Sequence, residues 1–138
     1  MLAGAHGIFD VAFGGCGGCH NAHIGRYEGI TTQCEDCHAG QAADYEGSSM
    51  YEAGVSCIDC HMGRATRSAR ANGPYEGDVW THLFRIDSSA DYDMFNRDEM
   101  GNTVSAKGFL SLEFACFRCH AAADKAAFAA IGDGGSAY

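Results

Sequence analysis

Several features are scarce in this chain of 138 residues, and each absence narrows what it can be. No run of about 18 apolar residues occurs, so no bilayer-spanning helix is expected. Met1 to Phe13 has neither a basic start nor a long apolar centre, so no signal peptide is expected there. Basic side chains number 9 against 18 acidic ones, for a formal charge of −9. That balance argues against nucleic acid and against anionic membrane surfaces as partners. It favours a partner that presents positive charge. Confident strand patterns are missing. No cysteine stands alone either, because all 8 fall in four Cys-x-x-Cys groups.

In each group a histidine follows at once. The four copies are Cys16-Gly17-Gly18-Cys19-His20, Cys34-Glu35-Asp36-Cys37-His38, Cys57-Ile58-Asp59-Cys60-His61 and Cys116-Phe117-Arg118-Cys119-His120. A zinc ribbon uses paired cysteines, and so does a redox dithiol, but neither needs that histidine. With 7 histidines in 138 residues, four such placements by chance are on the order of one in a hundred thousand. The pattern is that of haem c attachment. Two thiols add across the two vinyl groups of one porphyrin, and the adjacent histidine reaches the iron as proximal ligand. Cys16, Cys19, Cys34, Cys37, Cys57, Cys60, Cys116 and Cys119 are thus the expected attachment points for four haems. His20, His38, His61 and His120 are the expected proximal ligands.

Four porphyrins in one domain spanning 1–138 leave little room for a protein core. The sequence predicts a mainly α chain with extensive coil and little or no β-sheet, wrapped compactly around stacked haems. The 19 glycines suit backbone that passes close to flat rings. The best helix candidate runs from about Ser105 to Ile131, favoured by its alanines and stopped at Gly132. It would carry the fourth motif, with Phe114, Phe117 and Phe128 packing on the haem. Arg64, Arg67 and Arg70 fall on one helical stripe, either a solvated face or partners for haem propionates. Tyr-Glu-Gly recurs at 27–29, 45–47 and 75–77, as a remnant of duplication or a turn preference. The acidic residues Asp87, Asp91, Asp93, Asp98 and Glu99 read as a solvated loop.

Six-coordinate irons need four distal ligands, and three histidines remain: His6, His23 and His82. Open iron positions outnumber them, so each is expected to ligate. His23, three residues after His20, would point at a different iron. His82 lies in an apolar stretch suited to haem burial. His6, near the N-terminus, would either fold back or reach another subunit. The fourth iron is left to a methionine, with Met50 first, then Met62, Met94 and Met100. Met62 cannot serve the haem that His61 already holds. An intersubunit ligand and an open iron are the other outcomes.

The four motifs make the chain resemble the multihaem c-type cytochromes. From about 48 to 120, Gly54-Val55-Ser56-Cys57-Ile58-Asp59-Cys60-His61-Met62 and Gly77-Asp78-Val79-Trp80-Thr81-His82-Leu83-Phe84-Arg85-Ile86 are similar to segments of the tetrahaem electron carriers of ammonia oxidisers. In that resemblance the position of His82 is a distal ligand, and the position of Met50 is often a histidine. Membrane-anchored quinol-oxidising tetrahaem cytochromes are similar in haem count but carry a membrane helix. Subunits of extracellular cytochrome filaments are also similar, and some share an axial histidine between copies, a role that would suit His6. The resemblance implies electron transfer without chemistry on a substrate. The partners would be redox proteins, an extracellular acceptor, or further copies of the chain. It also implies a mature chain working in the periplasm or outside the cell. A multihaem enzyme with one open iron is the rival, for which Arg118 is the only basic residue inside a motif.

Overall fold

The computed structural model of the chain describes residues 6, 15–25, 28–120 and 125–133. They fall into two units that divide between Cys57 and Ile58, inside the third motif.

The first unit is built from short turns. A 3-10 turn at Gly15–Gly18 leads to His20, which bridges Ile30 in antiparallel fashion. Thr31 N donates to Cys19 O at 2.9 Å and the Thr32 hydroxyl to Gly18 O at 2.9 Å, tying the first motif to the approach of the second. A second 3-10 turn, Cys34–Asp36, is held by the Asp36 carboxylate, which accepts from Gln33 N at 2.8 Å. Helix α1 (Ala39–Tyr45) begins directly after His38. Helix α2 (Ser49–Glu52) has Ser48 as its N-cap, the hydroxyl accepting from Tyr51 N at 3.1 Å. This is the ordinary way to satisfy an orphan first-turn amide. The Tyr45 hydroxyl donates to Val55 O at 2.8 Å, which fixes the chain just ahead of the third motif. Among the described residues of this unit, only Gly29 is buried.

The second unit has a protein core. Helix α3 (Cys57–His61) carries the third motif. Strands β1 (Thr66–Gly73) and β2 (Glu76–Val79) form an antiparallel hairpin. β3 (Ile86–Asp87) pairs in parallel with β6 (Leu110–Ser111), and β4 (Phe95–Arg97) pairs antiparallel with β5 (Thr103–Ala106). Helix α4 (Leu112–Cys116) runs into the fourth motif, and α5 (Lys125–Asp133) follows. Met94, Leu110 and Phe114 form the buried cluster, with Ala65, Leu83, Ile86, Tyr92 and Phe95 packed on it.

This overturns the expectation of a mainly α chain with little or no sheet. Among the described residues, five short helices stand beside six strands in three two-stranded sheets. The long helix expected from Ser105 to Ile131 is broken, because β5 and β6 occupy its first part through cross-strand bonds to residues outside the helix. Its last described piece passes through Gly132 rather than stopping there. Residues 121–124, with three of the alanines that favoured it, lie outside the described residues. The stripe of Arg64, Arg67 and Arg70 is not helical, since β1 contains the last two. Phe114 packs in the buried cluster of the second unit.

The three Tyr-Glu-Gly copies share no described structural role: Tyr27 lies outside the described residues, the second copy closes α1, and the third opens β2. The acidic residues serve local turns. Asp87 accepts from Ser89 N, Asp93 from Phe95 N and Arg97, and Asp98 from Met100 N and Asn102 N.

Two glycines fix how the chain leaves α3. Gly77 packs in the hairpin so that a Cβ would overlap the Thr66 carbonyl, and its N–H donates to Arg64 O at 2.6 Å. At Gly63 a Cβ would come within 2.7 Å of Phe114 O. Both obstacles are backbone, which cannot rotate aside. Gly77→Ala is therefore expected to destabilise the chain by about 1–3 kcal/mol, read as a lowered thermal or denaturant midpoint.

Candidate functional site

The four motifs adopt the same local form. His20 N donates to Cys16 O at 2.8 Å, His38 N to Cys34 O at 2.9 Å, and His120 N to Cys116 O at 3.0 Å. The third motif forms α3 itself. Each motif is thus one helical turn, in which cysteines three apart share a face and the histidine stands just beyond them. None of the eight cysteines is in a disulfide. Cys16, Cys19, Cys34, Cys37 and Cys119 are exposed, while Cys57, Cys60 and Cys116 are half-buried.

The thiol environments weigh between rival chemistries. A redox dithiol needs a lowered thiol pKa. Burial pushes the Cys34 thiol up, with Cys57 beside it adding to the effect. Burial likewise pushes Cys116 up to about 11, helped by Cys60 and Cys119. A zinc ribbon needs three or four ligands converging on one point. Among the described residues no group of three or more histidine, cysteine or acidic side chains does so.

One histidine has a partner that sequence reasoning missed. His61 Nδ1 lies 2.8 Å from the Phe84 carbonyl oxygen. A carbonyl can only accept, so Nδ1 carries the hydrogen and Nε2 keeps its lone pair for a metal. A backbone carbonyl on the far nitrogen is the usual support of a ligating histidine, fixing tautomer and ring direction. The segment that supplies it is held beside α3: Thr81 N and its hydroxyl both donate to Gly63 O, at 3.2 and 3.0 Å. The apolar stretch around His82 was legible in the sequence, but not that it brings a carbonyl to His61.

A second missed feature joins two motifs. Arg118 Nη2 donates to Asp59 Oδ1 at 2.8 Å, with the side chains only 20% and 27% exposed. These are residues inside the fourth and third motifs, 59 apart in the chain. Cys57, in turn, lies close enough to Cys34 to help push its thiol pKa up. Within the second unit the fourth motif is therefore joined to the third through Asp59, with Cys60 near Cys116 as well.

The remaining candidates are scattered. His6 lies against His38, and burial first and His38 second pull it below the usual imidazole range. His23 is exposed, its backbone N–H donating to Asn21 Oδ1 at 3.0 Å. His82 is exposed, its ring 6.0 Å from that of Phe84. His120 has Phe128 at 5.2 Å, and Phe117 packs on the same ring at 5.7 Å. Met50 sits on α2 and is 46% exposed. Met94 is 1% exposed within the buried cluster of the second unit. Met94→Ala should accordingly cost about 2–5 kcal/mol of stability and leave the visible spectrum unchanged, a pair of readouts that separates packing from ligation.

Arg64 has its guanidinium 4.0 Å above the Trp80 ring and 3.7 Å from Glu76. It is thereby committed within the second unit. Among the described residues, no helix is long and apolar enough to cross a membrane. Compared with known proteins, the chain matches no family model, no curated protein and no solved structure.

Proposed function

We propose that the chain is an electron-transfer protein that holds four covalently attached haems c, one at each motif. The observation that carries this reading is one backbone turn repeated four times at Cys-x-x-Cys-His, with the His61 ring held in the tautomer a metal needs. The pairs Cys16 and Cys19, Cys34 and Cys37, Cys57 and Cys60, and Cys116 and Cys119 form the thioethers. His20, His38, His61 and His120 are the proximal ligands. His6, His23 and His82 supply distal positions, and Met50 the fourth.

Bound haem supplies a one-electron change at iron, with a potential set by ligands and surroundings. The chain's own residues do the rest. The Phe84 carbonyl makes His61 a more basic ligand. The Asp59–Arg118 pair locks the third and fourth motifs together and sets one charge of each sign between them. Because Asp59 engages Arg118, the one basic residue inside a motif is not free to clamp an anionic substrate, which supports a carrier over an enzyme.

The acidic balance suits a redox partner with a basic surface, or an extracellular acceptor, for a chain exported to the periplasm or beyond. Assembly into an extracellular filament drew on His6 as a bridging arm. His6 beside His38 of its own chain favours the soluble shuttle instead. The test is a stepwise reductive titration of the native protein. The expected result is reversible uptake of four electrons per chain with sharp haem bands, unshifted by nitrite or carbon monoxide. A chain that takes up no electrons ends the reading, and a nitrite-sensitive high-spin haem moves it to the enzyme.

A further inference from the structure

In the first unit, the rings of His6 and His38 lie with centroids 5.8 Å apart and planes at 60°. Two imidazoles that bind one metal from opposite sides, each through a nitrogen about 2 Å away, set their centroids about 6 Å apart. A plain aromatic pair covers the same range of about 4.5–7 Å, so the distance has to be read with the identity of the residues.

His38 closes the second motif. Its N–H is bonded to Cys34 O at 2.9 Å, and its own carbonyl accepts from Ala42 N at 2.9 Å to start α1. Its place beside Cys34 and Cys37 is therefore set from both sides. His6 belongs to no motif and is one of three histidines outside the motifs. It is half-buried, and its ring lies against this motif histidine. A shared iron would take one nitrogen from each of the two rings. The 60° between the planes presents no obstacle, because rotation about the axis through the iron leaves both bonds intact.

We infer that His6 and His38 are the two axial ligands of one haem, the one held by Cys34 and Cys37, and that His6 serves its own chain. The inference rests on the four-haem reading and adds to it which histidine serves which iron. It assigns His6 away from any bridge to a second copy.

The test uses the full chain with its haems. His6→Met is expected to convert one haem of four from bis-histidine to histidine–methionine ligation, seen as a red charge-transfer band and a rise in one of four reduction potentials. His6→Ala is expected to turn the same haem high-spin, with added imidazole restoring the low-spin signal, so that loss of the ligand is told apart from loss of fold. Cys34→Ala with Cys37→Ala removes the second haem. On that background His6→Met is expected to leave the three remaining haems spectroscopically unchanged. A change in any of those three overturns the pairing, and a change that grows with chain concentration identifies His6 as a ligand to a second copy. A wild-type chain with four haems whose spectrum ignores His6 sinks the pairing alone. A wild-type chain with no haem absorption sinks the four-haem reading along with it.

Discussion

Replacing Cys57 and Cys60 together by alanine is expected to leave a chain with three haems, its Soret absorbance lower by about a quarter. The loss should be confined to one haem, because each motif has its own two cysteines, none in a disulfide, and its own histidine. A metal shared between two cysteine pairs would behave otherwise, since removing one pair would release the whole site. The third motif is also joined to the fourth, through the Asp59–Arg118 pair and through Cys60 beside Cys116. Its removal should therefore disturb electron equilibration among the remaining haems more than removal of the first motif. The measurement is rapid-mixing reduction followed at the haem bands. The variant is expected to show two separated phases where the native chain shows one, and unchanged absorbance would contradict the assignment outright.

The ion pair between the motifs gives the second large effect, and its sign is distinctive. Asp59→Asn leaves the Arg118 cation with no carboxylate in a largely covered position, while Arg118→Gln does the reverse. Each should cost about 1–3 kcal/mol of stability, because the surviving partner keeps its desolvation penalty. On the redox side the two must differ. Losing an anion near oxidised iron disfavours the ferric state and raises the potential, and losing a cation lowers it, each by on the order of 1 kcal/mol per charge. A purely structural pair would give two variants with the same thermal loss and the same redox shift. Potentiometry of both variants at matched ionic strength reads the difference, which shrinks as salt is added.

The motifs were legible in the sequence because Cys-x-x-Cys-His is a short local pattern, and its spacing survives in any fold. Their local turn fits it: cysteines three apart share a helical face. The sheets were not legible. β1 and β2 carry no alternation of apolar and polar residues, and their pairing is set by the turn at Pro74–Tyr75 and by Gly77 passing against Thr66. The short strands β3 and β6 exist because Leu110 N reaches Arg85 O at 2.8 Å and the two segments pair in parallel, 24 residues apart at Ile86 and Leu110. Helix propensity within 105–131 could not foresee those bonds, since propensity yields to tertiary partners. Met94 looked like one methionine among several until the core closed around it. The Asp59–Arg118 pair and the Phe84 carbonyl on His61 are contacts between distant residues, and nothing in local pattern encodes them.

The most direct test of the central claim is the intact mass of the native protein under denaturing conditions. Thioether-bound haem survives unfolding, whereas zinc or a noncovalent cofactor is released. The account predicts the polypeptide mass plus four haem masses on every chain. A denatured chain at the bare polypeptide mass would contradict it.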